Sequence, residues 1–489
     1  MPEEQLPAQS PTVQPTKTVP PKTQLSLAPG QMMFARFDAA QTTLDNKNHW
    51  GLADGFSADA AYNPGVRRII RQRARHELEN NPLLKGMIST YVNDILGDKG
   101  PRLQFMGLSA TRRNKLDRVI TKWAKHVRLL RILRTALSSR ITDGEVIIVF
   151  AQDPTIPGPI KLRPQLMECD RLQLPYAGVN LGEAIQRTDG IELDTYGNPM
   201  AYHILKDHPG DAYGRPMESR RILAPYVYHM FKLRRPEQHR GVSEIAASLG
   251  RFADLRRYTA AVIAAAETAA DFSAVIHTDQ IFDEEDANLE AMDKIPIDKR
   301  SAVTLPNGWT ITQLKAEQPT TGFAAFRHEI IADVAREFNM PYLIAAGDSS
   351  GHNFASAKLD TRQYIRQCKT EQEEIEDPLD SMIRWALMDL SRTEGWGWAS
   401  VDSLEWEWLW QRPEEVDPRE ASATATKLQT LQTTLADVYA DRGLDWRQRL
   451  ALFREILDEA ETMGIPLDLL GIKAPEQDLP DEPSEDEDE

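Results

Sequence analysis

Cysteine is scarce in this chain of 489 residues, which has only Cys169 and Cys368. The two are far apart and neither belongs to a C-x-x-C pair, so a disulfide framework, a zinc ribbon and a dithiol redox motif are excluded. Long apolar runs are also missing. The most apolar stretch, Thr259 to Ala270, is shorter than the roughly 18–20 residues that span a bilayer and contains Glu267. We therefore expect two buried thiols, a reducing compartment and no membrane partner.

Signatures of enzymes and of metal or cofactor sites are missing as well. The start, MPEEQLPAQS, lacks the basic and apolar regions of a secretory signal. No G-x-x-x-x-G-K-[ST] loop binds nucleotide phosphates, and Gly347-Asp348-Ser349 is not followed by the Asp-x-x-His that an esterase needs. The segment Asp279 to Asp293 has seven acids, but it lacks the spacing and the glycine of an EF-hand. The sequence predicts no enzyme, no metal and no cofactor.

Charge is unevenly distributed along the chain. Its 57 Lys and Arg against 74 Asp and Glu give a net charge of −17. Residues 474–489 carry nine acids and no base, whereas Arg67 to Arg140 holds 18 bases and five acids. Such a basic helical segment fits either phosphate contact without base reading or an interface with an acidic neighbour. Arg67, Arg68, Arg71 and Arg75, at helical spacing on one face, are the candidates for that contact.

Periodicity and turn residues predict an α+β chain that is predominantly helical. Residues 1–30 are rich in proline and polar residues, which predicts a disordered arm. Asn63-Pro64 begins a helix that Asn80-Asn81-Pro82 interrupts, and a second helix stops at Gly97. Residues 112–137 predict one or two amphipathic helices. From Asp143-Gly144 to Met230 short β-rich runs alternate with turn residues.

The second half of the chain predicts long helices around a small β segment. One helix is expected over Ser243–Phe272 with Ser243 as its N-cap, and another over Thr321–Asn339. Between them Asn307-Gly308 predicts a hairpin. A polar loop from Gly347 precedes a helix over 356–392, which Pro378 is expected to break or kink. Trp406, Trp408 and Trp410 alternate on a strand whose aromatic face predicts core or interface rather than a ligand cage, and residues 419–464 are all helical.

This order of elements resembles the portal proteins of tailed bacteriophages, specifically the lambda-like family. The resemblance spans His49 to Gly464. It is carried by HWGLADGFSADAAYNPGVRRIIRQRAR at 49–75, Asn80-Asn81 with VNDILGDKGPRLQF, VYHMFKLRRPEQHRGVSEIAASL at 227–249, and VAREFNMPYLIAAGDSSGHNFASAKLDTRQY at 334–364. The most specific part is the Met340-Pro341 break between helices with a polar loop before the next helix.

The resemblance implies a portal fold with wing, stem, clip and crown that assembles as a ring, usually of twelve subunits. The implied regions are an arm (1–30), wing (31–242), stem helix (243–272), clip (273–318), second stem helix (319–340), tunnel loop (341–355), long helix with a returning wing strand (356–412), crown (413–473) and acidic tail (474–489).

The implied function is a channel at one capsid vertex through which double-stranded DNA is packaged and ejected. The implied partners are the other subunits, sequence-independent DNA, the large terminase, the major capsid protein and a head-tail connector, in a virion assembled in the host cytoplasm. The loop expected to face DNA comprises Gly347, Asp348, Ser349, Ser350, Gly351, His352, Asn353 and Phe354. The arginines at 67–75 would contact DNA or the shell, and Asp283, Glu284, Glu285 and Asp286 would dock the motor or connector. The alternatives are a terminase-like nuclease or esterase, and a DNA-binding adaptor that forms no ring.

Overall fold

The computed structural model describes residues 48–49, 53–173, 186–211, 218–271, 275–278, 309–312, 322–351, 353–395, 401–411, 418–440 and 444–463. The chain divides into two units, residues 1–55 and 56–489, and every element below belongs to the second unit. Its described helices are α1 (Ala58–Ala61), α2 (Pro64–Asn80), α3 (Pro82–Leu96), α4 (Ala110–Val127), α5 (Leu129–Asp143), α6 (Leu249–Asp271), α7 (Gly322–Glu337), α8 (Tyr342–Ala346), α9 (Phe354–Glu394), α10 (Pro418–Gln429), α11 (Leu435–Ala440) and α12 (Trp446–Thr462). None of them is both long and apolar enough to cross a bilayer.

Two Asn-Pro pairs start the second and third helices, as the sequence predicts. Asn63 accepts a hydrogen bond from the Val66 N–H at 3.1 Å, and Asn81 accepts one from the Leu83 N–H at 3.1 Å. A proline follows each asparagine, at a position where the helix needs no backbone donor. α3 ends at Gly97, whose φ is 66°. The break between these helices is therefore written in the local sequence.

Antiparallel strands occupy the middle of the chain, as predicted. They are β1 (Arg102–Phe105), β2 (Glu145–Gln152), β3 (Leu162–Glu168), β4 (Gln186–Thr188), β5 (Ile191–Leu193), β6 (Pro199–Leu205), β7 (Ser219–Leu223), β8 (Val227–Phe231), β9 (Val275–Thr278), β10 (Trp309–Thr312) and β11 (Trp406–Leu409). One sheet has the order β3-β2-β8 and another β4-β5-β6-β7, while β1 pairs with β11 and β9 with β10. The Asn307-Gly308 turn and the acidic segment 279–293 lie outside the described residues.

The helix predicted over 243–272 begins instead at Leu249. The Ser243 hydroxyl donates to the Ile141 carbonyl at 3.4 Å, and the Glu244 N–H donates to the same oxygen at 2.9 Å. These bonds hold the segment against the end of α5, so short turns replace the first helical turns. Tertiary contact overrides helix propensity here.

α9 is a single helix of 41 residues, about 60 Å long. It runs through Pro378, so the expected break does not occur. Tyr364 and Leu379 belong to a core shared with α2, α3, α5, α7 and α8, whereas Leu387 belongs to a core shared with α4 and β2. Both cysteines are buried and free, as predicted.

The tryptophan strand packs against α9, as expected for a core element. β11 pairs with β1, so the chain returns to the first half of the fold. The indole N–H groups of Trp406 and Trp408 both donate to Asp380 at 2.7 Å, and Trp410 donates to Glu376 at 2.6 Å. The three indoles thus anchor the strand to the long helix. The predicted helical region at the C-terminal end is confirmed by α10, α11 and α12.

Candidate functional site: an exposed loop on a charge-paired scaffold

The polar loop expected from Gly347 onward joins α8 to α9. Gly347 ends α8 in the left-handed region, with φ 65°, and Asp348 accepts a hydrogen bond from the Ser350 N–H at 2.9 Å. Asn353 caps α9 by accepting from the Ser356 N–H at 2.9 Å. The described loop residues, 347–351 and 353, are all exposed. Glycine and two side-chain turns thus form a short exposed loop between fixed helix ends.

The base of this loop is held in the core. The Asn339 side chain donates to Gln367 on α9 at 3.1 Å, and the Met340 N–H donates to the Ala335 carbonyl at 3.0 Å. Met340 and Ala345 are buried. The Met340-Pro341 break therefore redirects the chain at a fixed point. His352 and the side chain of Phe354 lie outside the described part of the loop.

α6 and α7 extend away from the core as a pair. Tyr258 on α6 contacts Phe323 and Phe326 on α7, with ring centroids 5.8 and 4.6 Å apart. No residue is buried in α6 from 256 to 267, where burial is described, or in α7 from 322 to 329. Apolar side chains are exposed there, including Ile263 at 53% and Phe326 at 39%. Such apolar surface on a helix pair is typical of a protein-protein interface.

The arginine face of α2 points into the protein, which corrects the expectation that it contacts DNA or a shell. Arg67 is 4% exposed and Arg71 5%, and Arg75 is half-buried. Arg68 alone of the four predicted residues is exposed. The acidic neighbour considered from the sequence is supplied by this chain itself.

Carboxylates from distant segments pair with these arginines. Arg67 pairs with Asp189, and Arg71 lies 2.9 Å from Asp170. Arg75 makes two hydrogen bonds to Asp143, at 2.8 and 2.7 Å. Burial alone would lower the pKa of Arg75, but the bonds to Asp143 raise it. We name the set of Arg67, Arg71, Arg75, Arg240, Asp143, Glu145, Asp170 and Asp189 the wing ion cluster; it contains four cations and four anions.

Glu145 and Arg240 form the centre of the wing ion cluster. Arg240 is 2% exposed and reaches the fully buried Glu145 at 2.6 Å. Glu145 also accepts from the Gly241 N–H at 2.8 Å and lies 2.9 Å from Nε2 of His229. Burial alone would raise the pKa of Glu145, but Arg240 and His229 hold it well below its usual range. Burial lowers the pKa of His229, against the effect of Glu145.

Two glycines let the backbone segments of this cluster touch. A Cβ on Gly241 would lie 2.2 Å from the carbonyl oxygen of Gly144. Gly144 itself has φ 93°, and its own Cβ would lie 2.3 Å from Val242. Both positions therefore require glycine. The Arg240-Gly241 motif thus combines a buried cation with the close approach that positions it.

A second buried ion pair fixes α9 to the scaffold. Arg140 on α5 pairs with Glu371 and lies 2.9 Å from Glu244. Lys232 also pairs with Glu371, whose pKa is held low against the effect of burial by Arg140 and Lys232. The segment before α6, the end of α5 and the middle of α9 are thereby joined.

One group within the described residues has the spacing of a metal site: Glu168, Asp170 and His208. Nδ1 of His208 accepts from the Gly210 N–H at 3.0 Å, so Nε2 carries the ring proton, and it lies 3.1 Å from Glu168. Arg75 lies 3.2 Å from Glu168 and 2.8 Å from Asp170. A guanidinium already neutralises these carboxylates, so the arrangement does not suit a cation.

Sequence reasoning missed the partners of the arginine face. Glu145 and Asp189 sit beside Gly144 and Gly190, which a sequence marks only as turns. The one usable signal was Glu145 at the start of the apolar run EVIIVF, where a buried charge needs a partner. Asp283, Glu284, Glu285 and Asp286 lie outside the described residues.

Comparison with known proteins places this geometry in a family. Residues 45–372 match the model of "Phage portal protein, lambda family". The chain is similar to a probable portal protein of Halomonas phage phiHAP-1, at 24% identity over 94% of this chain and 91% of that protein. It is similar at 12% identity and a TM-score of 0.45 to a chain from the neck of an empty gene transfer agent particle, over 76% of this chain and 92% of that one. An HK97-family phage portal protein from Corynebacterium diphtheriae matches over 59% of this chain and 85% of its own, at 10% identity and a TM-score of 0.28.

Proposed function

The chain belongs to the lambda family of phage portal proteins, and we propose that twelve copies form a ring at one capsid vertex around a channel for double-stranded DNA. The family is structural rather than enzymatic. DNA is packaged and ejected through the channel, driven by a separate motor.

The α6–α7 pair supports the ring most directly. Its described surface has no buried residue over 256–267 or 322–329, yet it exposes Ile263 and Phe326. In a closed ring each subunit covers such a surface on the next with a different surface of its own. The alanines of α6 allow adjacent helices to approach closely. This pair is the proposed stem, and β9 with β10 belongs to the proposed clip at its end.

The loop at 347–354 is the proposed tunnel loop. Its described residues are exposed, and Asp348 is their one ionisable group. Weak contact suits a channel, since each phosphate neutralised by a bound cation strengthens DNA binding and makes it salt-dependent. The loop would touch DNA without reading its sequence, while the fixed ends of α8 and α9 hold it in position.

Other partners are assigned to other regions. The region 31–242 is the proposed wing, facing the major capsid protein, with the exposed Arg68 as the remaining candidate for contact there. The acidic residues 283–286, outside the described residues, are proposed to dock the large terminase or the head-tail connector. α10 to α12 would form the crown.

Assembly is tested by light scattering after size exclusion and by negative-stain microscopy. We expect rings of about twelve subunits, and Ile263→Glu should shift the population to smaller species. Tyr196→Glu is the matched control, because Tyr196 is 89% exposed on the turn between β5 and β6. A chain that stays monomeric or dimeric under all conditions would refute the ring and favour an adaptor.

The tunnel loop is tested by changing charge without disturbing its helix caps. Asp348→Lys with Ser349→Lys adds cations, keeps Gly347 and Asn353, and should reduce the rate or extent of DNA packaging. Asp348→Asn with Ser349→Ala is the control. Normal packaging and DNA retention in both variants would show that the loop does not face DNA.

A further inference from the structure

A large cavity lies away from the loop and the ion pairs described above. It has a volume of about 860 Å³ and lies between α4, α5, α9, the β1–β11 pair and the start of α12. This size is in the range of ligand pockets, which are about 300–1,000 Å³. The apolar part of its lining includes Leu103, Ile120, Leu133, Leu379, Ile383 and Trp408.

The rim of the cavity is strongly basic. Six cationic side chains line it: Lys99, Arg102, Lys125, Arg128, Arg131 and Arg134. All are exposed except Arg134, which is half-buried. They belong to the segment with 18 bases and five acids, and neither ion cluster uses them. The cavity therefore has the chemistry to bind an apolar group that is followed by several negative charges.

The backbone at Arg128 supports a role for this rim. Arg128 joins α4 to α5 in the left-handed region, at φ 56° and ψ 49°. Glycine or asparagine occupies this region more easily, and other side chains are strained there. Strain of this kind is retained where a side chain is needed. A guanidinium at this corner is consistent with ligand binding at the rim.

Two carboxylates on the wall lack complete partners. Asp445 is 6% exposed; one of its oxygens accepts from the Arg447 N–H at 2.8 Å, and the other has no hydrogen-bond partner. Asp117 also has a buried oxygen without a partner. Burial raises the pKa of Asp117 to about 6, with Asp445 adding to the shift and Arg113 opposing it. An occupant with backbone N–H groups would satisfy these oxygens.

A segment of this chain has the required chemistry. Residues 464–472, GIPLDLLGI, include five aliphatic side chains, and residues 476–489 carry nine acids and no base. α12 begins at the cavity and is 17 residues long, or about 26 Å. The 26 residues after Met463 reach up to about 90 Å when extended, so they can return to the cavity.

We propose that residues 464–472 bind in this cavity and that the acidic residues 476–489 lie against its basic rim. The contact brings the −9 tail onto the most basic part of the chain. It also covers the rim cations with carboxylates, so they do not bind the phosphates of nearby DNA. The tail then acts as an internal competitor for DNA on the outer surface of the subunit.

The experiment places a photo-crosslinking benzoylphenylalanine at Leu469 in the full chain and maps its products by mass spectrometry. We expect crosslinks to peptides containing residues 99–103 or 128–134. Rim charge reversal, Arg128→Glu with Arg131→Glu, should lower the yield about tenfold. The matched control is Arg118→Glu with Lys122→Glu, since both residues are exposed on α4 and neither lines the cavity.

Raising NaCl to 0.5 M on the unaltered rim gives a second measurement and should lower the crosslink yield, because the rim and the tail attract through screened charge. The same probe at Leu431, which is 90% exposed, reports random collision. Crosslinks from position 469 to other regions or to another protein would overturn the proposal. So would a yield that rim reversal lowers no more than the control does.

Discussion

Replacement of Arg240 by methionine tests whether the wing ion cluster stabilises the fold. Methionine keeps an unbranched side chain but removes the charge that faces Glu145 at 2.6 Å and Asp189 at 2.7 Å. Glu145 is fully buried, so water cannot replace the lost cation. Removing one partner of a buried ion pair costs about 3–5 kcal/mol, which we expect for the free energy of unfolding.

The cost should depend on pH in a defined direction. In the unaltered protein the pKa of Glu145 is held well below its usual range, so its stabilising effect is present above the unfolded pKa and is lost only as pH falls through the folded one. Without Arg240, burial should raise that pKa. The variant is then destabilised at pH 7.5 and recovers as Glu145 takes up a proton near pH 5.5. The gap between the two proteins should narrow with acid.

The assay is urea unfolding followed by tryptophan fluorescence at pH 7.5 and 5.5, since Trp123 is buried and reports the core. Arg163→Met is the control, because the Arg163–Asp153 pair is partly exposed and should contribute less than about 1 kcal/mol. A double variant, Arg240→Met with Glu145→Gln, should recover part of the loss. A cost below about 1 kcal/mol for Arg240→Met, or one independent of pH, would refute the reasoning.

Three further substitutions or reactions test other parts of the structure. Gly241→Ala should cost at least about 2 kcal/mol in urea unfolding, because its Cβ would meet a backbone oxygen at 2.2 Å, whereas Gly250→Ala, with open space around it, should be neutral or slightly stabilising. Asp117→Asn should stabilise the fold by about 1 kcal/mol at pH 7.5 and by less at pH 5, because burial raises the pKa of this half-exposed carboxyl to about 6 and penalises its charge above that pH. Cys169 and Cys368 should react with a thiol reagent at pH 8 only after unfolding, since burial raises both pKa values, that of Cys368 to about 12; fast reaction in the folded protein would contradict their burial.

Helix starts and stops were predictable because their causes are local. Asn63-Pro64 and Asn81-Pro82 carry both the side-chain cap and the ring that begin a helix, and Gly347 has the freedom that ends one. The exposed loop followed from these signals without knowledge of the rest of the fold. The continuity of α9 did not, because a cap or a break at Pro378 is decided by the core on either side of it.

The order of elements along the sequence determined the family and the helical, strand and loop character of most segments. Only the tertiary structure decided what each charged face contacts. The spacing of Arg67, Arg71 and Arg75 shows that they share one side of a helix, but the carboxylates that bury them come from Asp143, Asp170 and Asp189. A helical period describes a surface and says nothing of what covers it, because the covering residues are about 70 to 120 positions away in the chain.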